Sequence, residues 1–213
     1  MKIKAVLTGD IVNSEKIDSE HRALLIRVIR DINSLQAWSP LSMDLFRGDS
    51  FQIVMENPSM ALLIATMARA YIMANTPSES QIMWDARISI GIGTVSFVSD
   101  TVVTSDGEAY RLSGRRLDSM VKERLAVDTC WKDVNDELTV GIAFVDDVIN
   151  GWTPIQAQAI YQSIARKLSQ AEIACNLGKS QQAVSKILAA AKENLLRLYL
   201  NRFETLISTH INS

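Results

Sequence analysis

Cysteine and histidine are scarce, two of each in 213 residues. A structural zinc site draws its ligands from closely spaced Cys and His pairs. Cys130 and Cys175 stand far apart and His21 and His210 have no partners at ligand spacing, so the cysteines read as small packing residues of a reducing compartment and the histidines as solvated. Also missing is any apolar run of the roughly 18 to 20 residues that a membrane span requires. The start, MKIKAVLTGDIV, meets polar residues after a short apolar run, which reads as a first strand rather than a signal peptide. The expectation is a cytoplasmic protein with no membrane partner. Trp38, Trp84, Trp131 and Trp152 are not interleaved with basic residues, which argues against a platform for stacking single-stranded nucleic acid.

What is present describes a globular chain, 47% hydrophobic and 22% charged, long enough for two modest domains. Its net charge of −2 is unevenly divided: residues 151–213 carry seven Lys or Arg against three Asp or Glu. The C-terminal part is therefore positive and the rest negative, as in a nucleic-acid module tethered to a module of another kind.

Apolar periodicity gives the organisation. Ile3 to Thr8 is a branched, buried-strand run bounded by Gly9, and residues 18–36 show helical spacing through Leu24, Leu25, Val28, Ile29, Ile32 and Leu35. Met43 to Phe46 and Phe51 to Met55 flank Arg47-Gly48-Asp49-Ser50 as a β-hairpin. Asn57-Pro58 opens a helix to about Ala74, and Ala86 to Val95 is a strand whose glycines permit close backbone approach. A helix over Glu108 to Val121 and a strand over Arg124 to Asp128 follow. Strand, helix, strand, strand, helix, strand is the split βαβ, ferredoxin-like order, here with one helix and one strand appended. The expected class is α/β of the α+β kind: a palm over 1–130, a linker helix over 131–150 and an all-α domain over 151–213.

In that last part, SQAEIACNLGKSQQAVSKIL (169–188) has the features of a helix-turn-helix. Ala174 is the small residue at the crossing, Gly178 makes the left-handed turn, and Ile173, Leu177, Val184 and Ile187 close the seam. Ser169 and Ser180 stand as N-caps. The outer face of the second helix would carry Gln181, Gln182, Ser185 and Lys186, with Lys179 and Ser180 in the turn, donors suited to base edges and phosphates of double-stranded DNA. The segment resembles the helix-turn-helix of bacterial repressors and of sigma-factor region four. Leu195, Leu196, Tyr199, Phe203 and Leu206 continue as a helical stripe suited to a core or a dimer seam.

Asp10, expected just past the first strand, and Asp49, expected at the hairpin tip, would project to one edge of the sheet. Paired carboxylates on rigid elements suit magnesium across a triphosphate. GDIVNS, RGDSFQ, RISIGIG and DGEAYRLSGR are similar, in order and spacing, to the signature segments of class III nucleotide cyclases, and with the trailing helices the whole chain resembles the bacterial SatD family. The resemblance implies Asp10 and Asp49 as ligands of Mg2+ or Mn2+ with the Ile11 carbonyl beside them, and Arg115 as the arginine that stabilises the transition state. Two positions depart from the cyclase pattern: the purine-reading lysine is Phe46, and the asparagine four residues before Arg115 is Arg111. Arg111 and Arg115, at i and i+4, share a helix face from which to grip phosphates.

Two functions follow as expectations. One is a homodimeric transcriptional regulator whose palm senses a nucleotide or another phosphorylated small molecule. The other is a metal-dependent nucleotide cyclase or nucleotidyltransferase in which the helix-turn-helix serves docking or oligomerisation.

Overall fold

The computed structural model describes residues 2–46, 49–97 and 106–212. Its sheet starts with β1 (Lys2–Ile11), α1 (Ser19–Asp31), the hairpin of β2 (Leu41–Phe46) and β3 (Ser50–Met55), α2 (Ala61–Ala74) and β4 (Ala86–Phe97). These strands lie in the order β2-β3-β1-β4, each antiparallel to its neighbour. That is the ferredoxin-like arrangement the pattern implied. The two-residue β5 (Asp106–Gly107), α3 (Glu108–Ser119) and β6 (Leu125–Thr129) are the appended pieces, with β6 parallel to β4 at its free edge.

The strands are half-buried by period two, so the two faces of the sheet carry different residues. Ala5, Leu7 and Ile11 of β1, Phe51, Ile53 and Met55 of β3, and Ile88, Ile90 and Ile92 of β4 join one large core with α1 and α2. The opposite side has a smaller cluster, Val6, Val95 and Ala109, and α3 is the helix seated there. Gly91 makes that seat possible, since a Cβ on it would stand 2.1 Å from the Ala109 carbonyl oxygen and 2.5 Å from the Ser113 nitrogen. A hydrogen bond of 2.9 Å between the Thr8 and Ser113 hydroxyls pins the helix across β1.

The remaining helices are α4 (Lys132–Asn150), α5 (Pro154–Ile164), α6 (Gln170–Leu177), α7 (Gln181–Ala190) and α8 (Glu193–Asn212). The expected linker helix, α4, buries Val134, Leu138, Ile142, Val145 and Ile149 in the same core as the sheet, and that core continues through Ile160, Ile173, Val184 and Phe203 to Ile207. Thr153 and Ser169 cap α5 and α6 through reciprocal capping boxes with Gln156 and Glu172. Among the described residues, no helix is long and apolar enough to cross a membrane.

Several boundaries differ from the sequence expectation. Gly9 does not end the first strand; a Cβ there would stand 2.5 Å from the Phe51 ring, so glycine serves close packing in mid-strand and β1 runs on through Asp10 to Ile11. The helix expected over 18–36 tightens into a 3-10 turn from Ile32 to Ala37. A break at Lys192, with φ at 61°, separates α7 from α8. Neither cysteine is fully packed, Cys130 being half-buried and Cys175 exposed. Burial, helped by Glu108, pushes the Cys130 thiol up from its ordinary value.

The histidines are partnered. His21 Nδ1 lies 2.6 Å from Asp18 and His210 Nε2 lies 3.0 Å from Asp133. The Leu206 carbonyl and then Asp133 raise the His210 pKa above its ordinary 6.5. A raised folded-state pKa stabilises the fold below the unfolded value and loses that contribution as pH rises through the folded one. The melting-temperature deficit of His210→Ala against the native chain is therefore expected to be larger at about pH 5.5 than at about pH 8.5, and a deficit independent of pH would contradict the pairing.

Candidate functional site

The end of β1 and the start of β3 bring the two predicted acids to one rim of the sheet. Asp10 is paired in register with Ser50, and the Ile11 N–H donates to the Asp49 carbonyl at 3.0 Å. The following turn is stitched to the hairpin as well. Asn13 takes a left-handed conformation with φ at 53°, and the Ser14 hydroxyl donates to Asp49 Oδ2 at 2.6 Å. Arg22 of α1 donates to the Ser14 carbonyl and fixes the turn from behind. Arg47 and Gly48, the other residues of the expected tip, lie outside the described residues.

Register extends the rim into a row. Phe46 of β2 pairs with Ser50, Ser50 with Asp10, and Asp10 with Arg87 of β4. All four lie on the face opposite the main core, the side on which α3 sits. Phe46 is two strands from Asp10, roughly 10 Å. Arg87 grips Asp10 with both ends of its fork, Nε at 2.9 Å and Nη2 at 2.5 Å. It also donates to the carbonyl of Met120 at 3.3 Å, at the end of α3. The bond to Asp10 is the main reason the Arg87 pKa lies above its ordinary value, with Asp118 adding to it.

The predicted arginines of α3 are not gathered alike. Both are exposed on the outer side of the helix. Arg115 precedes Met120 by five residues, a rise of roughly 7.5 Å, so it belongs to the end of α3 that meets the rim. Arg111 is at the other end, ion-paired at 3.1 Å with Asp106, which pairs with Phe97 at the far end of β4 from Arg87.

Two carboxylates and a neighbouring backbone carbonyl are the hard oxygen donors that Mg2+ or Mn2+ accepts, usually with substrate phosphates completing the shell. Among the described residues no group of three or more His, Cys, Asp or Glu is arranged for a metal. At the rim Asp10 is held by Arg87 and Asp49 by the Ser14 hydroxyl, so a cation shared with a ligand would have to compete with both.

A cavity of about 520 Å³ lies elsewhere, between Trp38, Met60 and Leu63 on one side and Ile164, Lys167, Arg197 and Leu200 on the other. Its shape is set by packing of the C-terminal helices on α2 and the turn that precedes it. It contains none of the paired acids.

In the C-terminal part, Gly178 caps α6 with φ at 60°, in the left-handed region, and the Ser180 hydroxyl accepts from the Ala183 N–H at the start of α7. Ile173, Ala174, Val184 and Leu188 are buried along the contact of the two helices, with Leu177 and Ile187 half-buried. Lys179, Ser180, Gln181, Gln182, Ser185 and Lys186 are all exposed.

Sequence reasoning missed Arg87, Ser14 and a buried ion network below the rim. Arg69 of α2 is wholly buried, bonded to both Asp85 oxygens at 2.9 and 2.6 Å, to Asp146 at 2.8 Å and to Asn150 at 2.7 Å. Arg124 adds a contact to Asp85 at 3.0 Å. The signal for the network was one arginine inside the otherwise uncharged ALLIATMARAYIMA.

No family model and no curated protein matches the chain. Solved structures do resemble it. An adenylate/guanylate cyclase/hydrolase from Silicibacter pomeroyi is 19% identical over 66% of this chain and 80% of that one, with a TM-score of 0.48. The catalytic core of a rhodopsin-guanylyl cyclase with converted specificity, in complex with ATPalphaS, is 12% identical over 55% and 72%, with a TM-score of 0.43. A bacterial light-regulated adenylyl cyclase is 14% identical over 59% and 75%, also at 0.43. These likenesses concern the fold, and the chemistry of the rim rests on its own geometry.

Proposed function

We propose that the palm binds a nucleoside triphosphate together with Mg2+ or Mn2+ at the Asp10, Ile11 and Asp49 rim, and that it cyclises the nucleotide or transfers its nucleotidyl group. The observation that carries this reading is the row Phe46, Ser50, Asp10, Arg87 with Asp49 at its edge. An aromatic ring at one end suits a base, and carboxylates with a guanidinium at the other suit a cation and phosphates. A bound divalent cation would neutralise the triphosphate and polarise its phosphoryl oxygens. Asp10 and Asp49 would hold it, Arg87 would pass from Asp10 to a phosphate oxygen, and Arg115, on the half of α3 nearer Met120, would answer the developing charge. Arg111 belongs to the Asp106 pair and not to the reacting phosphates. Phe46 reads a base by stacking, with no hydrogen-bonding group to select a purine.

Incubation with each of the four common nucleoside triphosphates and either cation is expected to release pyrophosphate with at least one, and Asp49→Asn is expected to abolish it. No release from the native chain under any of these conditions contradicts the enzymatic reading.

A second reading, a regulator that binds double-stranded DNA through α7 as a cytoplasmic homodimer, is favoured by the left-handed Gly178, the Ser180 cap and the exposed polar row beginning at Lys179. In anisotropy titrations Lys186→Ala is expected to weaken binding to all duplexes and to lower the salt slope by about one. Gln182→Ala is expected to cost about 1–3 kcal/mol on the preferred sequence alone. No binding to genomic fragments at low salt contradicts it.

A further inference from the structure

The outer faces of α4 and α8 carry a group of large apolar side chains left in water. Val140 is 63% exposed, Phe144 69%, Leu195 61% and Leu198 67%. They flank a shallow apolar groove of about 290 Å³ floored by Gly141, Val145, Val148 and Tyr199. Such a patch marks an interaction surface when it is contiguous and rimmed by polar residues.

The rim identifies the partner. Within one chain the two helices run antiparallel and level: Asp133 meets His210, Glu137 meets Arg202, the Tyr199 hydroxyl donates to the Leu138 carbonyl, and Trp152 donates to the Ala191 carbonyl. On α4 the apolar pair Val140 and Phe144 is bracketed by acids, Asp136 and Glu137 before it and Asp147 after it. On α8 the apolar pair Leu195 and Leu198 is bracketed by cations, Lys192 before it and Arg202 after it. Asp136 to Asp147 spans roughly 16 Å and Lys192 to Arg202 roughly 15 Å at the rise of a helix. Glu193, the acid inside the α8 span, is already paired with Arg197.

We infer that this face is a homodimer interface in which α4 of one copy lies on α8 of the other, and α8 on α4, about a two-fold axis running along the helices. Such an axis keeps each residue at its own level. The Glu137–Arg202 pairs, each closed within its own chain, then border the contact at one end, Asp147 of one copy stands about one turn from Lys192 of the other at the opposite end, and Phe144 lies over the Leu195 and Leu198 ridge. The contact is self-complementary in apolarity and in charge, the requirement of an isologous interface. The inference stands apart from the nucleotide reading, because none of these residues belongs to the rim of the sheet.

Sedimentation of the full chain across a micromolar concentration series tests it. The native chain is expected to dimerise, and Phe144→Glu to weaken dimerisation by at least about tenfold with an unchanged circular-dichroism spectrum, since the ring is on the surface. Asp147→Lys and Lys192→Asp are each expected to weaken the dimer, and the two together to restore it. A native chain that stays monomeric throughout overturns the inference, as does a dimer indifferent to Phe144→Glu, which would place association on another face. A double charge reversal no better than either single change overturns the proposed pairing.

Discussion

Replacing Arg69 by methionine is expected to cost about 3–5 kcal/mol of stability, because it leaves carboxylates in the core without their cation. Arg69 and Asp85 are completely inaccessible and Asp146 nearly so. Asp85 would retain the Ala86 N–H and Arg124, and Asp146 the Arg124 N–H, which do not neutralise two buried charges. Arg69→Lys is expected to fail in the same direction, since an ammonium cannot reproduce a planar fork shared among Asp85, Asp146 and Asn150. Combining Arg69→Met with Asp85→Asn and Asp146→Asn should recover part of the loss, as neutral amides are far cheaper to bury. Denaturant midpoints measure this directly. A loss below about 1 kcal/mol in Arg69→Met would mean that the network contributes no more than a surface pair.

Gly91→Ala is expected to be the most damaging single methyl group in the sheet. Both atoms it would strike, the Ala109 carbonyl oxygen and the Ser113 nitrogen, belong to the backbone of α3, so no side-chain rotation relieves the clash. Overpacking of this kind costs about 1–3 kcal/mol or more. It should also reach the rim, because the last turn of α3 presents the Met120 carbonyl to Arg87. Lower stability and weaker nucleotide affinity are therefore expected together. Gly114→Ala is the control: nothing lies within 4 Å of its Cβ, and alanine favours the helix by up to about 1 kcal/mol. If Gly91→Ala behaves like Gly114→Ala, α3 is not seated on the sheet as described.

The contrast between these glycines shows what the sequence makes legible. The strand and helix order was readable because alternation and the 3.6-residue period are local properties, and the turn at Gly178 because the left-handed glycine and the Ser180 cap lie two residues apart. Gly9 was misread as a stop because its neighbour in space, Phe51, is 42 positions away. Asp10 and Asp49 were legible as strand-end acids, whereas nothing local in RISIGIG singles out Arg87. Its partnership with Asp10 appears only once β1 and β4 are in register. Asp146 was read within an amphipathic linker because periodicity records which side of α4 is polar and not which cation waits there.

If the acids at the end of β1 and the start of β3 share a cation with a nucleotide, the cation itself can report it. Electron paramagnetic resonance of Mn2+, titrated with the chain in the presence of non-hydrolysable nucleoside triphosphates, reports bound cation whether or not turnover occurs. A bound-Mn2+ signal is expected that requires both nucleotide and native chain and that disappears in Asp49→Asn at unchanged melting temperature. Equal Mn2+ binding by the native and Asp49→Asn chains, or none by either, would contradict it.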